Sequence, residues 1–129
     1  MLVGQDPASD EAGAVEQARR WAQETGVDVV VKTGHLAAKI ASNTWVRPDG
    51  SQHTAKAEWV NSWNTHGTGC SLSSALATRL GWGEDPATAL GWVTDWLHES
   101  ISHGAALHVG QGHGPIDHGY RARERGAHL

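Results

Sequence analysis

Gly26-Val27-Asp28-Val29-Val30-Val31-Lys32-Thr33-Gly34-His35 is the stretch on which the fold turns. Four of its residues are β-branched valines, which favour a strand. Upstream, Ser9-Asp10-Glu11 reads as a helix start, with a hydroxyl cap and carboxylates in the first turn, where the helix dipole favours them. Ala12, Val15, Ala18 and Ala22 recur at helical spacing, and Gly26 supplies the stop. A valine run directly after a helix predicts a parallel strand buried on both faces, the repeating half of a βαβ layer. The class is α/β.

Further along, Thr44-Trp45-Val46-Arg47-Pro48 and Ser51-Gln52-His53-Thr54-Ala55 flank Asp49-Gly50, a hairpin pattern whose second arm extends through Glu58-Trp59-Val60. Pro48 cannot donate to a ladder, which predicts an edge or flap position for the hairpin. A glycine-rich loop, Asn64-Thr65-His66-Gly67-Thr68-Gly69-Cys70, runs straight into the helical stretch Ser71-Leu72-Ser73-Ser74-Ala75-Leu76-Ala77-Thr78-Arg79-Leu80. After Gly81-Trp82-Gly83, Asp85 and Pro86 open another helix as cap and first helical residue. Its apolar stripe is Leu90, Val93, Leu97, Ile101 and Ala105, with Trp92 and Trp96 beside it. The glycine-rich turn Gly110-Gln111-Gly112-His113-Gly114-Pro115 and a polar, Arg-rich tail close the sequence.

Composition narrows the function classes. The 129 residues are 39% apolar and 19% charged, which fits one folded domain rather than a disordered tail or coiled coil. Ten Lys and Arg against 14 Asp and Glu give a net charge of −4, the wrong sign for a nucleic-acid groove. No apolar run approaches the ~20 residues that span a bilayer, and Met1-Leu2-Val3-Gly4-Gln5-Asp6-Pro7 lacks the basic and apolar regions of a secretory signal. Cys70 is the single cysteine, so no internal disulfide forms and a reducing, cytoplasmic setting is expected.

The sharpest chemical signal is Gly67-Thr68-Gly69-Cys70. Glycines let successive N–H groups converge on one spot, and the following helix adds its positive end, which together make a seat for phosphate. Cys70 at the helix start is a candidate base or nucleophile. The same pattern also describes a tight turn with a small buried cysteine. The spacing is not that of a Walker P-loop. Lys32, at the carboxyl end of the valine strand, is placed where α/β sheets bind ligands and could neutralise phosphate charge; a snorkelling lysine at a strand end reads the same way. His98, His103, His108, His113 and His118 recur every five residues. Five residues turn a helix by about 140°, so these rings scatter, and no metal site is expected from them. The seven tryptophans, with no phenylalanine, read mainly as large apolar anchors.

Val30-Val31-Lys32-Thr33-Gly34-His35, Asn64-Thr65-His66-Gly67-Thr68-Gly69-Cys70 and Gly112-His113-Gly114-Pro115, in this order and at these distances, resemble the hydroxymethylpyrimidine/phosphomethylpyrimidine kinases of thiamine biosynthesis, within the ribokinase-like superfamily. Most members of that superfamily carry Asp where Cys70 stands, and cysteine there marks the pyrimidine branch. The resemblance covers residues 1–118 and corresponds to the C-terminal half of such an enzyme, leaving 119–129 as a polar tail. It implies a partial three-layer α/β/α sandwich with a hairpin. It also implies ATP with its phosphates over Gly67, Thr68 and Gly69, Cys70 beside the attacking hydroxymethyl group or phosphate, and Lys32 neutralising charge. Thr65, His66, Gly112 and Gly114 would be further nucleotide-site residues. The nucleoside would pack near the hairpin and the 110–115 turn, on the helix bearing Val93, Leu97 and Ile101. Magnesium would accompany ATP, its ligands lying in the N-terminal half together with most of the pyrimidine pocket.

Several positions depart from the family pattern. Thr33 replaces a more usual glycine, the loop 36–41 lacks an Asp that often follows, and Trp59 and Trp63 stand where smaller or polar residues are usual. The resemblance leaves two alternatives open: a truncated module that only binds nucleotide or a partner chain, and a fragment of a pyridoxal-type kinase. It leaves open, too, whether the half turns over alone. A half-fold would expose sheet edge and apolar surface, so a homodimer or a complex with an N-terminal half is expected, with Trp45, Trp59 and Trp63 as the candidate contact surface. Neither nucleic acid nor membrane is an expected partner.

Overall fold

The computed structural model describes residues 4–36 and 39–126. The expectations that involve Met1 to Val3, Ala37, Ala38 and the last three tail residues lie outside them. Two compact units divide the chain, Met1–Trp59 and Val60–Leu129.

In the first unit, helix α1 spans Glu11–Thr25. Its cap is Asp10 rather than Ser9, because the Asp10 carboxylate accepts the Gly13 amide at 2.7 Å. Gly26 ends the helix in the left-handed region at φ 71°, as the glycine stop requires. Strands β1 (Val29–Lys32), β2 (Ile40–Val46) and β3 (Gln52–Glu58) follow in the sheet order β1-β2-β3. Both pairings are antiparallel, with Val30 opposite Trp45, Lys32 opposite Asn43 and Thr44 opposite Thr54. The valine run is therefore not a parallel strand within this sheet. It has one strand neighbour among the described residues and is half-buried throughout, with Val27 exposed. A β-branched run records a preference for extended backbone but carries no information about its neighbour's direction.

The hairpin forms with longer arms than its sequence pattern suggests. Arg47 and Ser51 close a three-residue connection in which the Gly50 amide returns to the Arg47 carbonyl at 2.9 Å, with Gly50 at φ 84°. Pro48 sits in that connection, where no ladder hydrogen bond is required of it. The hairpin reaches the edge of the described sheet through β3, as expected, but it is not a flap, since its other arm β2 is the central strand and carries the buried run Ser42-Asn43-Thr44-Trp45-Val46. Thr33 accounts for its departure from glycine: fully buried, it donates both its amide (2.9 Å) and its hydroxyl (3.0 Å) to the Ser42 carbonyl. Trp45 is 9% exposed and its indole N–H donates to Asp28, which removes it from any contact surface; Trp59 and Trp63 are exposed at 42% and 69%.

The second unit holds α2 (Thr68–Gly81), α3 (Pro86–Gly104), a short 3-10 turn (Ala105–Leu107) and α4 (Tyr120–Glu124). Asp85 caps α3 by accepting the Thr88 amide at 2.9 Å, with Pro86 at the first turn. The buried stripe of α3 is Ala89, Leu90, Val93, Thr94, Leu97, Ser100 and Gly104. It drifts from the expected Ile101 and Ala105 to Ser100 and Gly104 because the chain returning after the 110–115 turn packs there: the Asp117 amide donates to the Ser100 carbonyl at 2.8 Å. Val93 and Leu97 are core residues, so they are not free to support a nucleoside.

Helix α4 lies in the polar tail and is held by named contacts. Arg121 makes a bidentate pair with Glu99 at 2.5 and 3.0 Å and lies 4.8 Å from the Trp92 ring centroid. Tyr120 stacks on His103 at 3.5 Å, and Arg123 pairs with Asp117. The hydrogen bonds from Arg121 hold the Glu99 carboxyl below its ordinary value of 4.5. A depressed folded-state pKa contributes stability that is complete above the unfolded value and is lost as pH falls through the folded one. Glu99→Gln is therefore expected to cost about 0.5 kcal/mol at pH 7, solvent screening keeping the pair weak. Thermal unfolding should show the gap between variant and wild type closing as pH falls below the ordinary glutamate value of 4.5; a gap independent of pH would remove the ion pair from α4 docking.

Candidate active site

The second unit brings two distant motifs together. His66 donates its amide to the Gly114 carbonyl at 3.1 Å, and the Ile116 amide donates to the His66 carbonyl at 3.4 Å, forming a short parallel bridge between His66 and Pro115. Two glycines permit this approach. A Cβ on Gly114 would collide with the Asn64 side-chain amide, and one on Gly104 would fall 2.9 Å from the Pro115 carbonyl oxygen. Gly114 is thus buried against Asn64, whereas Gly112 is exposed. Gly104 escapes sequence reasoning, since a glycine at the end of a helix reads as a stop rather than as a contact.

The loop next enters α2. Gly67 is the N-cap, at φ 87°, a conformation that favours glycine, and no side chain caps the helix. Thr68, Gly69 and Cys70 form the first turn, so α2 begins earlier than the sequence pattern suggests. The Ser71 amide donates to the Gly67 carbonyl at 2.9 Å, closing the turn. No acceptor among the described residues takes the amides of Gly69 and Cys70, both exposed. Such unpaired N–H groups, aligned with the helix dipole, are what an anion binds. Cys70 is exposed, so it is not the buried packing cysteine that the pattern also allowed.

A cleft of about 330 Å³ opens along this flank, lined by Cys70, Ser71, Ser74, Ala75, Thr78, Trp96 and His118. Sequence reasoning did not find Ser71, Trp96 or His118. His118 belongs to a five-residue histidine series whose members do separate jobs. His103 stacks on Tyr120, His113 stacks on exposed Trp63 at 4.2 Å, and the His108 ring lies 2.9 Å from the Ala106 carbonyl. His118 hydrogen-bonds Ser71 through Nε2 at 2.7 Å. Among the described residues no three His, Cys, Asp or Glu gather to hold a metal ion. Lys32 ends β1 in the first unit, half-buried. Thr65 and His66 are exposed beside the bridge.

The fold recurs in solved kinases. The pyridoxal kinase of Staphylococcus aureus in complex with ADP superposes with a TM-score of 0.83 at 20% identity, covering 95% of this chain and 44% of that one. The ADP complex of Bacillus subtilis pyridoxal kinase gives 0.80 at 22%, covering 92% and 43%. The chain has the fold of the matching part of these pyridoxal kinases. The chain belongs to the phosphomethylpyrimidine kinase family, whose pattern matches residues 1–117. It is 50% identical over 118 residues to the thiamine biosynthesis multifunctional protein ThiED of Corynebacterium efficiens, covering 92% of this chain and 16% of that protein. With the hydroxymethylpyrimidine/phosphomethylpyrimidine kinase of Rhizobium meliloti it shares 34% identity over 121 residues, 94% of this chain and 45% of that one. The chain thus spans less than half the length of each of these relatives. No helix among the described residues is long and apolar enough to cross a membrane.

Proposed function

We infer that residues 1–118 form the phosphate-binding, C-terminal half of an ATP-dependent kinase acting on hydroxymethylpyrimidine and its phosphate, with 119–129 as an appended polar tail. One observation carries this reading: the unpaired amides of Gly69 and Cys70 at the start of α2, with an exposed thiol in the same turn. In that half the ATP phosphates rest on Gly67, Thr68 and Gly69. Thr65, His66, Gly112 and Gly114 frame the nucleotide. The hydroxymethyl oxygen attacks the γ-phosphorus, its proton passes to Cys70 acting as a thiolate, which becomes the neutral thiol, and ADP leaves. In the second phosphorylation the acceptor is already an anion and needs no base, and Cys70 as a neutral thiol repels it less than an aspartate would. Lys32, in the first unit, is the residue to which the resemblance assigns neutralisation of phosphate charge. Magnesium accompanies ATP, but no cluster among the described residues fits it, so no step here runs through it.

The pyrimidine pocket, and a partner for the edge of β1 that has no strand beside it among the described residues, are supplied by an N-terminal half or a second copy. The setting is cytoplasmic, without nucleic acid or membrane. Family membership favours the pyrimidine over pyridoxal as acceptor, and a kinase assay on the complemented enzyme with each separates the two. No turnover with either would leave a module that only binds.

A narrower test needs the present chain alone. Gly69→Val keeps the fold, because a Cβ at Gly69 meets nothing within 4 Å, yet it fills the space over the amides. Calorimetry with ATP should show affinity falling at least about tenfold, roughly 1.4 kcal/mol. Unchanged affinity would place the anion elsewhere.

A further inference from the structure

The loop 67–70 is held at both ends by the segment 114–118. At its near end the His66 amide and carbonyl pair with Gly114 and Ile116. At its far end the Ser71 hydroxyl meets His118 Nε2 at 2.7 Å. Ser71 is 8% exposed, follows Cys70 directly and closes the first turn of α2 through its amide. His118 is exposed, but the backbone beside it is anchored: the preceding Asp117 is buried, donates its amide to Ser100 and accepts the Gly119 amide at 3.2 Å. Trp96 limits the ring from the α3 side, at 6.0 Å between centroids. No side chain caps α2; from within the helix the Ser73 hydroxyl donates to the Gly69 carbonyl at 2.9 Å, and the Ser71–His118 bond ties the first turn to a segment outside α2.

We propose that His118, acting through Ser71, is a positioning residue that sets the orientation of the Gly69 and Cys70 amides and of the Cys70 side chain. The proposal rests on the phosphate-seat reading for its functional consequence, but the geometry it asserts exists without ligand. A helix that starts on a left-handed glycine with no cap is prone to fray. A hydrogen bond from a separate, anchored segment to the first buried side chain of α2 opposes that fraying. Packing of the ring against Trp96 alone would not need a nitrogen at Nε2, and this distinguishes positioning from a merely structural role.

The test uses the present chain with His118→Gln, His118→Leu, Ser71→Ala and the double variant Ser71→Ala/His118→Leu. Glutamine reaches about as far as Nε2 and keeps a hydrogen-bonding group there; leucine fills space without one. In 1H–15N spectra of the ligand-free chain, the Gly69 and Cys70 signals should move in the Leu and Ala variants and stay near wild type in His118→Gln. The double variant should match the single ones, because both remove the same bond. ATP affinity should fall about five- to tenfold in the Leu and Ala variants and within about twofold in Gln. If His118→Gln behaves like His118→Leu, or the amide signals do not move in Ser71→Ala, the positioning role is overturned. Should His118→Leu not fold, Ser71→Ala and His118→Gln decide the matter. If wild type binds no ATP while the amide signals follow the expected pattern, the phosphate-seat reading fails and the positioning role stands.

Discussion

Cys70→Ala, in an enzyme completed with the N-terminal half, is expected to lower kcat about 100- to 10,000-fold while leaving ATP affinity within about twofold. The asymmetry follows from where the thiol acts. A group that accepts a proton or orients the attacking oxygen works in the transition state, whereas in the proposed reading the ground-state ATP phosphates rest on backbone amides that alanine keeps. Cys70 is exposed in the first turn of α2, so its removal opens no cavity and the fold should persist. Cys70→Ser should retain part of the rate, since a hydroxyl orients an acceptor but is a much weaker base. Single-turnover kinetics with hydroxymethylpyrimidine separate chemistry from binding. An unchanged single-turnover rate in Cys70→Ala would take the thiol out of the reaction.

Gly104→Ala should destabilise the second unit by about 2 kcal/mol, although alanine is ordinarily the better helix residue. A Cβ there would lie 2.9 Å from the Pro115 carbonyl oxygen, 3.0 Å from the Asn64 Cβ and 3.4 Å from the Ile116 Cα. Two of those atoms are backbone and the third is the root of a side chain, so no flexible tip can swing away. The Pro115 segment must shift, and with it the His66 bridge that leads into Gly67. Gly91→Ala, in the same helix with nothing within 4 Å of a Cβ, should instead stabilise by about 0.5–1 kcal/mol. Chemical denaturation of the pair gives opposite signs if contact decides, and the same sign if helix propensity does. Because Gly104 sits behind the loop rather than in it, Gly104→Ala should also weaken ATP binding at temperatures where the unit is still folded.

Local chemistry makes much of this protein legible from its residue order. The stop at Gly26, the Asp85-Pro86 start and the Pro48-Asp49-Gly50 connection each depend on backbone conformations that a few adjacent residues impose. The site motif is readable for the same reason. A glycine that tolerates φ 87° followed by a helix start leaves unpaired amides wherever it occurs, and its spacing from the 30–35 strand end and the 112–115 turn carries the family resemblance. Neighbouring residues thus suffice for most of the elements, for the loop that leaves two amides unpaired and for the thiol at its end. Whatever depends on residues far apart in the chain is decided only by tertiary contacts. Valines at 29, 30 and 31 specify an extended backbone, but their antiparallel pairing with β2 depends on where the hairpin returns. Trp45 is as apolar as Trp63, yet Asp28 and the sheet bury the one while the other stays exposed. His118 differs from the four other histidines of its series in meeting Ser71, 47 residues away. Gly104 is constrained by Pro115 and Asn64, neither of which its own helix contains. Burial, strand direction and the partner of a polar side chain are properties of pairs, and a pair is settled only when the chain has folded back on itself.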